Sequence, residues 1–273
     1  MNSGDDSESK LTGERADKDT RSVAELLEAS VDWTDDDWGS SRTWRAVAEL
    51  QRRGTREVLE GALALCKSRD SRVRARGADI LAQLGIPDRT FPEECLSELI
   101  RLLQQDDSPR VLESAAIGLG HQYGQKDLRA IPALVAHKNH PDMNVRHGVA
   151  SGLGGYNEPD AVAVLIELME DPADLVRDWA TFGLGALCSA DNAAIRDALL
   201  LRLADRDEDV RFEALSGLAE RRDPRVITPL IAELEASPER DTLLDLARLL
   251  LGEKSRSEGL AAGEIIEALR ALN

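Results

Sequence analysis

The chain has 273 residues and carries 51 Asp and Glu against 34 Lys and Arg, a formal charge of -17 at pH 7. Its sequence pI of about 4.7 sets it against nucleic-acid phosphates and anionic membrane faces and favours basic partners. No apolar run approaches the roughly 18 residues of a spanning helix, and the polar first segment has no apolar signal core, so a cytoplasmic location is expected.

Residues 1–21 mix opposite charges with few apolar side chains and bury too little surface to offset chain entropy, which predicts a disordered tail. Residues 22–54 read as N-terminal capping helices: a short helix over 22–28, an acidic turn from Asp32 to Gly39, and a helix over 41–53. The run Asp35–Asp37 is similar to half of a calcium loop, but twelve-position counting from Asp35 ends on Ala46, where a Glu is needed. These carboxylates are expected instead to favour the N-terminus of the next helix.

From 55 to 252 the chain reads as paired helices. A Val opens the same phrase five times, at Val73, Val111, Val145, Val176 and Val210, and each phrase ends on a Leu: Leu81, Leu119, Leu153, Leu184 and Leu218. The spacings of 38, 34, 31 and 34 residues fall in the period range of helical-hairpin solenoids. Apolar positions three and four apart place A helices near 55–67, 92–105, 127–137, 158–170, 192–204 and 224–235. Their B partners fall near 71–84, 108–122, 142–154, 173–188, 208–221 and 238–251. The sixth pair lacks the Val phrase, and residues 253–273 read as a linker and a capping helix over 259–272. The fold expected is an all-α superhelix, a solenoid of about six hairpins with terminal caps.

Seven residues after the Val stand Gly118, Gly152, Gly183 and Gly217. Glycine inside a helix costs about 1 kcal/mol relative to Ala, so four at one register imply a shared cause, a close helix crossing that leaves no room for a Cβ. Cys66, Cys95 and Cys188 lie far apart inside apolar helical patterns and read as reduced core thiols.

These residues resemble HEAT repeats of the short form named for phycobilisome lyases. Asn157-Glu158-Pro159-Asp160-Ala161-Val162-Ala163-Val164-Leu165-Ile166-Glu167-Leu168, with Asp171-Pro172 and Val176-Arg177 after it, follows that family's consensus nearly position by position, and Asp223 to Leu230 repeats its opening. In the family, an Asp in the inter-helix turn pairs with the Arg after the Val to form a ladder. Asp171 with Arg177 and Asp205 with Arg211 fit the six-residue spacing, whereas Ser68 and His140 stand at the Asp position before Arg74 and Arg146, and Leu112 replaces the Arg. The resemblance thus implies an interrupted ladder, or charges that are merely solvated.

His121, His137, His140 and His147 fall close enough in sequence to converge on a metal, with Asp142 and Glu113 to assist. Among HEAT proteins the deoxyhypusine hydroxylases hold iron through His-Glu dipeptides; none occurs here, so no metal or cofactor is expected and the histidines read as turn or surface residues. A likeness to alkylpurine DNA glycosylases fails on the acidity of Glu113, Asp178 and Glu213.

Placing the B helices on the inner surface, as the family does, turns the second, third and sixth residues after the Val toward the groove. That selects Glu113, His147, Asp178, Trp179, Phe182, Phe212 and Glu213 as partner-binding residues. Aromatics beside carboxylates suit a basic or amphipathic protein segment; the alternative is that Trp179 and Phe182 pack between repeats as core. The function expected is a non-catalytic, monomeric protein-interaction scaffold. The resemblance also allows a bilin lyase or chaperone of the phycobilisome-lyase type, and the charge allows an immunity-type inhibitor of a basic protein.

Overall fold

The computed structural model describes residues 19–32, 41–121, 126–252 and 260–272. Most of the expected tail, the acidic run Asp35–Asp37 and residues 253–259 of the expected linker lie outside them. In chain order the helices are α1 Val23–Ser30, α2 Ser41–Arg53, α3 Arg56–Leu65, α4 Ser71–Ala82, α5 Pro92–Gln105, α6 Pro109–Gly120, α7 Ala130–Val135 and α8 Met143–Leu153. Then follow α9 Pro159–Leu168, α10 Asp174–Phe182, α11 Ala193–Arg202, α12 Glu208–Glu220, α13 Ile227–Ala236, α14 Asp241–Leu251 and α15 Ala262–Arg270. Helices α3 to α14 pair as six hairpins, α1 and α2 precede them, and α15 packs on α13 and α14. The molecule is the all-α solenoid that the repeated Val phrase predicts.

Local chemistry sets where the B helices start. The carboxylates of Asp70, Asp142 and Asp207 accept the backbone N–H groups of Arg72, Asn144 and Asp209, so each helix opens on a side chain that satisfies an orphan donor. The repeated Val residues Val111, Val145, Val176 and Val210 are fully buried, as are Leu81, Leu119, Leu153, Leu184 and Leu218 at the ends of the phrases. Cys66, Cys95 and Cys188 are free and buried in this core.

Each B helix lies against the next, α4 on α6, α6 on α8, α8 on α10, α10 on α12 and α12 on α14. The glycines sit where a B helix meets both the preceding repeat and its own A helix. A Cβ on Gly152 would lie 2.8 Å from the Ala116 carbonyl oxygen and 2.6 Å from Leu134 Cδ2. One on Gly217 would lie 2.6 Å from Gly185 Cα, a backbone atom that cannot swing aside. The close crossing is therefore the cause shared by the repeated glycines.

The fourth B helix departs from the expected continuous helix over 173–188. Helix α10 ends at Phe182 and the chain widens into a π-helical turn, Gly183–Leu187. Arg221, projecting from the end of α12, collects the carbonyls there: Nη1 donates to Gly185 O at 2.7 Å, and Nη2 to Leu184 O at 2.9 Å, Cys188 O at 2.8 Å and Ala190 O at 3.1 Å. A cation at a helix C-terminus is favoured by the peptide dipoles and stabilises a turn with few ordinary bonds of its own.

The Arg–Asp ladder exists, but its register differs from the one the six-residue spacing implies. Each Arg reaches forward to the next hairpin: Arg74 to Asp106, Arg146 to Asp171, and Arg177 to Asp205, through paired Nε and Nη2 bonds of 2.6 to 2.9 Å. Arg211 likewise meets Glu233 at 3.1 Å. The residue six positions earlier contributes only its carbonyl, as Asp171 O does to Arg177 Nη1 at 2.9 Å and Asp205 O to Arg211 Nη1 at 2.9 Å. Hence Ser68 and His140 do not interrupt the ladder, since any residue supplies that carbonyl. The one break among these positions is at Leu112, which is buried instead.

Nor are the rungs solvated. The Arg177 and Asp205 side chains are 7% and 5% exposed. Burial works against the Asp205 charge, but the Arg177 guanidinium and the Asp207 amide overcome it and hold the carboxyl below its ordinary range. The Arg177 guanidinium is in turn fixed in its charged form chiefly by Asp205. Removing one partner leaves a buried charge, so Asp205→Ala is expected to lower unfolding stability by about 3 kcal/mol. The double variant Arg177→Leu, Asp205→Leu should recover most of that loss. Denaturant unfolding of the three variants checks it; a loss under about 1 kcal/mol for Asp205→Ala would mark the rung as an ordinary surface pair.

Candidate functional site

The selected residues stand on four successive B helices: Glu113 on α6, His147 on α8, Asp178, Trp179 and Phe182 on α10, and Phe212 and Glu213 on α12. All seven are half-buried. Four form a continuous run across three helices. Glu113 Oε1 lies 3.8 Å from His147 Nδ1, the His147 ring meets Trp179 edge-on at 5.3 Å, and Trp179 meets Phe182 edge-on at 5.9 Å. Such T-shaped contacts suit the positive edge of one ring against the negative face of the next.

Phe212 does not join this run. It packs against the core on one side and takes the Arg240 guanidinium over its ring at 4.9 Å, a cation supplied by the segment before α14. Trp179 also rests against the core, while Trp179 and Phe182 together wall a cleft. Trp179 thus both packs against the core and borders the cleft.

Asp178 and Glu213 carry the electrostatic character of the wall. Burial pushes the Asp178 carboxyl up to about 6, the negative charges of Asp209 and Asp207 add to it, and His147 opposes it. Burial likewise pushes Glu213 up to about 7, with Asp178 and Asp209 contributing. Carboxylates crowded on a partly dry surface favour protonation and would be relieved by a cation laid across them.

The four histidines do not converge. His137 Nε2 lies 2.7 Å from Leu103 O, His140 Nδ1 accepts the Asp142 N–H at 3.1 Å, His147 faces Glu113 and Trp179, and His121 lines the cleft. Among the described residues no three His, Cys, Asp or Glu side chains gather at a point suited to a metal ion.

The cleft is a feature that the reading by repeat position misses. It has a volume of about 620 Å³ and lies where the C-terminal ends of α6, α8 and α10 come together. Trp179, Phe182 and Leu187 form its wall from the α10 side; Lys126 and Tyr156 come from connections between helices. The π-helical turn brings Leu187 onto Gly154, where an added Cβ would stand 3.1 Å from Leu187 Cδ1. Lys126 was invisible in the sequence because it is a single cation in a polar connection, outside the helical register that selects groove residues.

Because Glu213 has a folded-state value above its ordinary one, the folded chain binds more protons than the unfolded chain between roughly pH 4 and 7. Its contribution thus destabilises progressively as pH rises through that window. Glu213→Gln is expected to raise the melting temperature at pH 8, with the difference shrinking toward zero near pH 4. Thermal unfolding at both pH values tests this, and an equal difference at both would contradict the assigned burial of the charge.

Sequence and structural comparisons agree on what the array is. The model of HEAT repeats matches residues 96–185, and the model of the PBS lyase HEAT-like repeat matches residues 210–236. Protein YibA of Escherichia coli (strain K12) is 29% identical over 224 residues, covering 81% of this chain and 79% of YibA. The X-ray structure of YibA aligns with a TM-score of 0.65 and 25% identity, over 90% of this chain and 92% of that one. The complex of CpcE and CpcF of phycocyanin lyase from Nostoc sp. PCC7120 aligns at a TM-score of 0.53 with 20% identity, covering 94% and 97%. The S. pombe condensin Cnd3-Cnd2 subcomplex aligns at 0.55 with 17% identity, over 92% of this chain and 36% of that one.

Proposed function

We infer that this chain, a HEAT-repeat protein carrying repeats of the PBS lyase HEAT-like type, is a non-catalytic scaffold that holds a basic or amphipathic segment of another protein along its B-helix wall. The observation that carries the reading is the run Glu113–His147–Trp179–Phe182 beside the crowded carboxylates Asp178 and Glu213. The aromatic edges offer anchoring area that loses little entropy on binding, and the carboxylates prefer a cationic partner. The net charge of -17 would speed encounter with such a partner at low salt. Related arrays in the CpcE–CpcF complex and the condensin Cnd3-Cnd2 subcomplex are seen with another protein, which is consistent with this use of the fold. An immunity-type inhibitor would be the special case in which the partner is itself a basic toxic protein.

Tagged wild type and a variant carrying Trp179→Ala, Phe182→Ala and Asp178→Asn would be purified from the native host and their co-purifying proteins identified by mass spectrometry. A basic protein retained by wild type, released by high salt and reduced about tenfold or more in the variant is the expected result. Equal retention by a variant that melts like wild type would overturn the groove assignment. Turnover of a metabolite that follows the purified chain through mutational controls would overturn the non-catalytic role.

A further inference from the structure

We propose that the cleft at the C-terminal ends of α6, α8 and α10 is a binding site for a small carboxylate with a planar, one- or two-ring apolar body, its charge meeting Lys126 and its body lying against Trp179, Phe182 and Leu187. This site shares Trp179 and Phe182 with the groove reading but requires no protein partner, so binding of a small acid by the purified chain tests it independently of that reading.

Charge is the first ground. Acidic residues outnumber basic ones 51 to 34 in this chain, and the buried and half-buried arginines of the ladder each hold a carboxylate. Lys126 breaks that pattern. Its Nζ donates to Gly154 O at 2.6 Å and Gly120 O at 3.3 Å, and sits 4.8 Å from the centre of the Tyr156 ring. Among the described residues no carboxylate oxygen comes within 4.0 Å of that ammonium, and two of its three N–H groups face helix-end carbonyls. The third lies beside the Tyr156 ring on the cleft wall, within reach of a ligand's carboxylate.

Neighbouring groups reinforce the sign. Burial, together with the positive charges of Arg89 and Lys126, holds His121 on the cleft wall below its ordinary range, so the positive charge at the end of α6 is that of Lys126 and Arg89. Among the described residues, Arg89 donates from its side chain to the Ala82 carbonyl and to no carboxylate. Burial lowers the Lys126 ammonium to about 8, because it holds the charged form short of water. Among the described residues lining the cleft, Glu158 is the only acidic one.

Shape supplies the rest. A volume of about 620 Å³ lies within the range of small-molecule sites. Trp179 and Phe182 stand edge to face, and Tyr156, itself buried, holds its hydroxyl to Asp127 O at 2.9 Å, which leaves its ring as wall. Aromatic walls with a single ammonium select a ligand that is flat and apolar with one negative end.

The test is isothermal titration calorimetry of the full chain with 3-phenylpropionate, indole-3-acetate and 2-naphthoate, each beside its neutral carboxamide. Saturable one-to-one binding of at least one acid is expected, with its amide about tenfold weaker. Lys126→Met should weaken the acid by about the same factor and leave the amide unchanged, while Phe182→Ala should weaken both. Lys126 ties two helix ends, so its replacement also carries a risk to folding; the acid-to-amide ratio on the unaltered chain decides without it. Absence of saturable binding for all three acids, or equal binding of acid and amide, would overturn the site.

Discussion

Close approach of successive B helices is the constraint from which the rest of the molecule follows. Where Gly152 meets Ala116 and Gly217 meets Gly185, backbone lies against backbone with no room for a side chain. Protein interiors transmit such constraints because they are close-packed. Bringing the B helices this near also brings their outward residues together, and this is how Glu113, His147 and Trp179, on three different helices, come to touch. A wider stack of the same sequence would present the same side chains as isolated points.

The ladder of charges acts on top of that packing. An Arg that reaches forward to a carboxylate and back to a turn carbonyl ties two hairpins through one guanidinium, and does so at nearly every junction. The junction between α6 and α8 lacks the Arg, since Leu112 stands there, and other groups bridge it. His137 meets Leu103 O across the A helices, and Lys126 spans Gly120 O and Gly154 O across the B helices. The cation that joins the B helices of this junction, Lys126, has no carboxylate within 4.0 Å among the described residues, and it stands at the C-terminal end of α6, where the cleft opens, at the opposite end of the helix from Leu112.

Much of this was legible in the sequence. The Val phrase, the buried Leu at its end and the glycine between them depend only on helical periodicity and steric size, and they located five of the hairpins, the sixth being placed by its apolar spacing alone. The register of the ladder was not legible, because Arg177 meets Asp205 rather than Asp171 through the stacking of hairpins, a relation that spacing within one repeat does not contain. Candidate groove residues were selected by position, which does not give their contacts: Phe212 takes Arg240 over its ring, and Trp179 both packs against the core and borders the cleft. The π-helical turn left only the trace Gly183-Leu184-Gly185, and its stabiliser, Arg221, lies in the following hairpin.

The claim that backbone contact between B helices sets the stack is tested most directly by denaturant unfolding of Gly217→Ala beside Gly263→Ala, both substitutions being inside helices. At Gly217 the added methyl would stand 2.6 Å from Gly185 Cα, whereas at Gly263 nothing lies within 4 Å. The account predicts opposite signs, a loss of about 1–3 kcal/mol at Gly217 and a gain of up to about 1 kcal/mol at Gly263. Equal gains at the two positions would contradict it.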